Sequence, residues 1–211
     1  MIFEAEALLF DLDGTLIDSL PAVNRAWTTW CIRHNLDPVD ILEKIHGKRA
    51  IDSIRLVAPN VDAEAENLIL RKIEAEDTYG IRPIPGALDL VQSLPKDKWT
   101  IVTSGTRDVA IARLNACGFP IPSTAVFGDN VANGKPHPDP YLLAAKRLGV
   151  QIRNCIGFED TFAGIQSIKS AGALPIAIGL PITPSIFDYK SITWELNQNG
   201  AVLTLTITKN L

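Results

Sequence analysis

Short apolar runs alternating with helix-patterned stretches set the tightest limit on what this chain can fold into. Beyond Pro83 and Pro85-Gly86, the segments Trp99 to Thr103, Ala125 to Phe127, Cys155 to Phe158 and Pro175 to Ile178 are short and apolar, and read as buried strands. Between them, Ala87 to Leu94, Arg107 to Ala116, Tyr141 to Leu148 and Phe162 to Ala171 read as helices with an apolar face. A further apolar run, Ala5 to Phe10, stops abruptly at Asp11 and suits a first buried parallel strand by its length. The expected fold class is α/β, a doubly wound, mainly parallel, Rossmann-like sheet.

The stretch from Leu20 to Tyr79 does not join this alternation. Its apolar residues recur at helical spacing, as in Val23, Trp27, Trp30 and Cys31 and later Leu68, Ile69, Lys72 and Ile73, which predicts about four helices. Residues 1–16 and 84–211 are then an α/β core, and 17–83 a small all-helical cap inserted after the first strand. An insertion held by two linkers, near 16–19 and 79–85, can open and close as a lid. The tail, Ser191 to Glu195 and Ala201 to Thr208, alternates apolar and polar residues around Asn199-Gly200, which predicts a hairpin packed as an antiparallel edge.

With 211 residues and 46% apolar content, the chain can bury a sizeable core. A net charge of −4 without a cluster of Lys and Arg gives no electrostatic ground for nucleic acid or an anionic membrane surface as partner, which leaves small molecules. Cys31, Cys117 and Cys155 are odd in number and far apart, so neither a disulfide framework nor a zinc knuckle is expected, and a reducing cytoplasm fits. The N-terminus carries no basic region before an apolar one, and no run approaches the roughly 18 apolar residues of a membrane span, so a soluble chain that is not exported is expected.

The densest chemistry is Phe10-Asp11-Leu12-Asp13-Gly14-Thr15-Leu16, set where the first strand ends. Ligands of open parallel sheets bind at the carboxyl ends of strands. Two carboxylates placed there repel each other unless a hard cation such as Mg²⁺ relieves them. An acidic turn with Gly14 supplying its φ accounts for the same residues locally. An EF-hand loop does not, since Gly14 is fourth from Asp11 and the twelfth position is Ala22. Three more segments fall at predicted strand ends. Thr103-Ser104-Gly105-Thr106 offers hydroxyls and N–H groups to a phosphate, or a helix N-cap. Gly134-Lys135-Pro136-His137-Pro138 presents one Lys in a proline-framed loop without the Walker pattern, otherwise a solvated surface Lys. Glu159-Asp160 adds two carboxylates, of which Asp160 also suits an N-cap.

Taken together, Asp11-x-Asp13-Gly14-Thr15, Thr103-Ser104-Gly105, Gly134-Lys135-Pro136 and Glu159-Asp160 resemble the four ordered motifs of the haloacid dehalogenase-like phosphatases, over nearly the whole chain. Thr-Ser-Gly-Thr-Arg, Gly-Lys-Pro-His-Pro-Asp-Pro-Tyr and the helical insertion are similar to the sugar and polyol phosphatases of that superfamily. The resemblance implies hydrolysis of small sugar or polyol phosphates, with Asp11 as nucleophile and Asp13 as proton carrier. It implies Mg²⁺ on Asp11, the Asp13 main-chain carbonyl and Asp160, with Glu159 supporting. Thr103 ahead of Ser104, the N–H groups around Leu12 and Asp13, and Lys135 would hold the phosphate.

In the cap, His46-Gly47-Lys48-Arg49 is the substrate-reading candidate, against an ordinary solvated turn between helices; Arg107, Glu74 and Glu76 are weaker ones. A phosphosugar mutase similar to β-phosphoglucomutase shares these motifs. A non-catalytic phospho-metabolite-binding module would be expected to lack Asp11, Asp13, Lys135 or Asp160. A dehalogenase is disfavoured, because that branch lacks the second Asp. A monomer or weak dimer is expected.

Overall fold

The computed structural model describes residues 1–182 and 184–208. In chain order, β1 (Ile2–Ala5) and β2 (Ala7–Phe10) lead through the acidic loop to β3 (Ile17–Asp18). Four helices follow: α1 (Leu20–Arg33), α2 (Pro38–Ile45), α3 (Ala50–Val57) and α4 (Ala63–Glu76). The chain returns through β4 (Arg82–Pro83), α5 (Ala87–Ser93), β5 (Trp99–Ile101), α6 (Arg107–Ala116), α7 (Asp139–Leu148), β6 (Cys155–Glu159), α8 (Phe162–Ala171), β7 (Leu174–Ile178) and β8 (Ser185–Ile186). It ends on β9 (Ile192–Leu196) and β10 (Leu203–Ile207).

The central sheet has the order β5-β2-β6-β7-β8 and is parallel throughout. Its inner strands β2 and β6 are apolar as far as Phe10 and Phe158 because both faces are covered. In β2, Leu8 and Phe10 point into the core shared with β10 and α5, whereas Ala7 and Leu9 point into a second core with Tyr141, Ala144 and Ile168. The rings of Phe10 and Phe158 stack at 4.7 Å between centroids, fixing β2 beside β6 directly under the two acidic loops.

The expected fold class is present, with local differences. The run Ala5 to Phe10 is two strands, because Glu6 turns its N–H to the Asn154 carbonyl at 2.7 Å and breaks the ladder. Ala125 to Phe127 is no strand but a single bridge, Val102 to Val126. The tail hairpin does not edge the parallel sheet; it pairs with β1 in a separate antiparallel sheet, β1-β10-β9.

The four helices enclose their own apolar cluster, centred on Trp27, Trp30, Ile41, Ile54 and Leu70. The stripe expected on α4 is rotated: Leu68 is exposed, while Leu70 and Glu66 face inward. Glu66 is satisfied there by Trp30 Nε1 at 3.0 Å and His34 Nε2 at 2.9 Å. The two connections to this block run side by side as a ribbon, Ile17 opposite Pro83 and Asp18 opposite Arg82.

Candidate active site

Each acidic or hydroxylic motif sits where a parallel strand stops. β2 delivers Asp11, β6 delivers Glu159 and Asp160, and β5 runs on through Val102 to Thr103. Strand polarity alone thus gathers them at one sheet edge. Gly14 turns the first loop at φ +84, a left-handed conformation, and a Cβ there would lie 1.9 Å from Asp160 Oδ2. Glycine is therefore required both for the turn and for the approach of Asp160. Thr15, fully buried, donates its hydroxyl to Asp160 Oδ1 at 3.2 Å.

Lys135 reaches the same point from the loop before α7. Its Nζ, in a side chain 1% exposed, lies 2.5 Å from Asp11 Oδ1 and 2.6 Å from Glu159 Oε1. Burial opposes its charge, but Asp11 and then Glu159 outweigh that and hold the ammonium well above its ordinary range. Burial pushes Asp11 up to about 7 against the pull of Lys135, with Glu159 and Asp13 adding to the rise. Asp160 is raised well above its ordinary value by burial, then by Glu159 and Asp11. Carboxylate oxygens of Asp11, Glu159 and Asp160 lie within 4.8 Å of one another. One ammonium among three carboxylates leaves negative charge uncompensated in a largely buried site, and an all-oxygen donor set of this kind suits a hard divalent cation.

Thr103 is buried, and its Oγ1 accepts the Gly105 N–H at 3.0 Å. Asp11, Gly14 and Thr15 donate their N–H groups to backbone carbonyls, whereas those of Leu12 and Asp13 meet no acceptor among the described residues and remain available to an anion. Asp13 Oδ1 accepts from Ser19 Oγ at 2.5 Å and pairs with Arg113 Nη1 at 2.8 Å.

Asp11, Asp13, Thr103, Ser104 and Asp160 share a cavity of about 290 Å³ with His46, Gly47, Lys48 and Arg49 of the turn between α2 and α3. Two of these differ from their expected roles. Ser104 Oγ donates to the Gly47 carbonyl at 2.8 Å, so its hydroxyl joins the helical block to the sheet edge. The Arg49 guanidinium is held by Asp52 at 2.6 Å and the Val131 carbonyl at 2.8 Å, which makes it a tie between the two halves. Arg107 and Glu76 do not line the cavity: Arg107 lies over the Phe127 ring, and Glu76 is exposed beside Lys72. Glu74 does line it, bound to Arg113 at 3.1 Å.

Arg113 and Ser19 are the residues that sequence reasoning missed. Arg113 lies seven residues past Thr106 on the face of α6, away from any motif, and its burial is the only signal that singles it out.

Comparison with known proteins agrees with this geometry. The haloacid dehalogenase-like hydrolase family matches residues 5–172. The chain is 44% identical over 210 residues to hexitol phosphatase A of Escherichia coli, covering 97% of this chain and 94% of that one. It is 36% identical over 190 residues to glycerol-1-phosphate phosphohydrolase 2 of Saccharomyces cerevisiae, covering 83% and 75%. Among solved structures, a hydrolase from Pseudomonas syringae superposes with a TM-score of 0.75 at 28% identity, over 83% of this chain and 87% of that one. The sheet, the four motifs at its edge and these matches place the chain in the haloacid dehalogenase-like hydrolase family.

Proposed function

We propose that this chain is a phosphomonoester hydrolase acting on small sugar or polyol phosphates through an aspartyl-phosphate on Asp11. The observation that carries the reading is the meeting of Asp11, Asp13, Thr103 and Asp160, from three strand ends, around one small cavity, with Lys135 bound to Asp11 behind it. A relative named for hexitol phosphates, aligned over nearly the whole chain, supports the substrate class.

In the first step an Asp11 oxygen bonds to phosphorus while the bond from phosphorus to the leaving alkoxide breaks, and Asp13 gives that alkoxide its proton. In the second, water attacks the phosphorus, Asp13 takes the proton of the water, and the bond to Asp11 breaks to release phosphate. Thr103, the N–H groups of Leu12 and Asp13, and Lys135 hold the non-bridging oxygens. Asp11, Asp160 and the Asp13 main-chain carbonyl would hold Mg²⁺, with Glu159 supporting them. When bound, the ion offsets the repulsion between an anionic nucleophile and an anionic phosphate.

Residues 17–83 act as the cap over a core of 1–16 and 84–211, with His46, Gly47 and Lys48 reading the substrate and Arg49 fixing their turn. The enzyme works in the cytoplasm as a monomer or weak dimer; its three thiols are free and buried. Among the described residues no helix is long and apolar enough to cross a membrane.

The test is phosphate release from hexose, hexitol and glycerol phosphates by purified protein, with Mg²⁺ or with chelator, beside Asp11→Asn. Turnover with Mg²⁺ that disappears in the variant and on chelation is expected. Undiminished turnover in either case sinks the mechanism, and an isomerised sugar phosphate in place of free phosphate identifies a mutase.

A further inference from the structure

Arg113 is 3% exposed, and its two terminal nitrogens go to carboxylates of different parentage. Nη1 pairs with Asp13 Oδ1 at 2.8 Å, in the loop after β2, and Nη2 with Glu74 Oε1 at 3.1 Å, on α4 of the helical block. Its Nε, also buried, finds no acceptor among the described residues. A guanidinium placed for its own satisfaction would not leave that donor idle. What the placement achieves is orientation of Asp13. Arg113 and Ser19 both bind Oδ1, which turns Oδ2 toward Gly105 and Thr103, where a Cβ on Gly105 would lie 3.9 Å from Asp13 Oδ2 and 3.3 Å from Thr103 Oγ1. Oδ2 is therefore the oxygen that faces Gly105, the residue that also borders the Thr103 hydroxyl. The same guanidinium loses half of its support if α4 moves away, because Glu74 travels with α4.

Resting on the phosphatase reading above, we infer that Arg113 is a positioning residue: it fixes which oxygen of Asp13 carries the proton and ties that orientation to docking of α4 through Glu74. Proton delivery then completes only when the helical block is seated, and an alkoxide is not expelled in an open site.

Proton delivery matters most for a poor leaving group, so the readout is a ratio of substrates. Glycerol phosphate leaves as an alkoxide that needs a proton; 4-nitrophenyl phosphate leaves as a stable phenolate. In Arg113→Met, kcat/KM, which reports the first step alone and not the hydrolysis that both substrates share, should fall about 30-fold or more for glycerol phosphate and by no more than about 3-fold for 4-nitrophenyl phosphate, as for loss of a placed general acid. Glu74→Gln should change the ratio in the same direction by about 5-fold, and Arg113→Lys should recover part of it by restoring charge without the fork. Because Arg113→Met leaves Glu74 buried and alone, Arg113→Met/Glu74→Leu provides a second route to the same ratio without that unpaired carboxylate. An equal fall for both substrates, or an unchanged ratio in a folded variant, overturns the inference while leaving the phosphatase reading intact. Wild-type protein inactive on both substrates overturns the phosphatase reading itself.

Discussion

Lys135 is the residue on which the charge balance of the site turns. A buried ammonium is tolerated because two carboxylates, Asp11 and Glu159, touch it at 2.5 and 2.6 Å; they in turn are tolerated because of it. Removing one member of such a set leaves uncompensated charge in a dry place, at a cost of about 3–5 kcal/mol. Lys135→Met should accordingly melt well below the wild type in chelator. Mg²⁺ should recover more of that loss than it adds to the wild type, since a cation takes over part of the neutralisation. Thermal melts of both proteins with and without Mg²⁺ check this, and equal increments in the two would show that ammonium and metal ion do not share one charge. A neighbouring glycine guards the same group. A Cβ on Gly164 would fall 1.8 Å from Glu159 Oε1, so Gly164→Ala must push Glu159 off Lys135. Overpacking of this kind costs about 1–3 kcal/mol, and here it should also lower kcat, measured beside the melting temperature.

At the scale of elements, the helical block carries its own pH sensitivity. Burial pushes Glu66 up, yet the hydrogen bonds from His34 and Trp30 and the charges of His34 and Arg33 outweigh it, so its carboxyl sits below its ordinary range. A carboxyl depressed by folding contributes stability above its unfolded value and loses it as the pH falls through the folded one. The packing of α1 against α4 should therefore weaken in acid, below about pH 4.5, in step with protonation of Glu66. In Glu66→Gln that acid-dependent part of the decline should be absent, while stability at pH 7 should fall by about 1–3 kcal/mol, as for a buried charged hydrogen bond. Urea titrations across the acid range measure both. The same element shows where sequence is readable and where it is not. Helix α8 occupies the predicted span because one face, with Ile165, Ile168 and Ala171, is apolar, and α6 does so although Arg113 shares its buried face with Val109, Ala110 and Leu114. On α4 the inward residue is a glutamate, which hydropathy reads as solvent-facing, so the predicted stripe was turned by Leu68. The two-residue strands β3 and β4 are too short to show any period and form only because they meet each other. Of the site, the four motifs are legible because chain polarity puts every strand end at one edge, whereas Arg113 is defined by partners 100 and 39 residues away in sequence.

For the molecule as a whole, the question is how firmly the proposed cap is seated. Among the described residues the helical block has an apolar cluster separate from the two that cover the sheet, so its core is not continuous with theirs. Polar ties join them beyond the ribbon: Arg113 with Glu74, Ser19 with Asp13, Ser104 with Gly47, Arg49 with Val131, and Arg71 with Asp108 at 2.6 Å. The first is buried and little screened. The last is a surface pair, its side chains 34% and 44% exposed, and such pairs contribute about 0–1 kcal/mol and weaken with salt. We therefore predict that seating is a shallow equilibrium, to which one exposed pair contributes a noticeable share. Asp108→Asn should shift the unliganded protein toward the open form by about 2–5-fold in population, within that range of energies. Small-angle scattering at low salt should read this as a larger radius of gyration than the wild type. Raising the salt should expand the wild type toward the variant and leave the variant nearly unchanged. Mg²⁺ with orthovanadate, bound between the two halves, should return both to one compact value, because a ligand that touches both halves supplies what the surface pair no longer does. A variant as compact as the wild type at low salt would mean that the buried contacts alone hold the cap down, and that Arg71 and Asp108 only decorate a closure decided at Arg113.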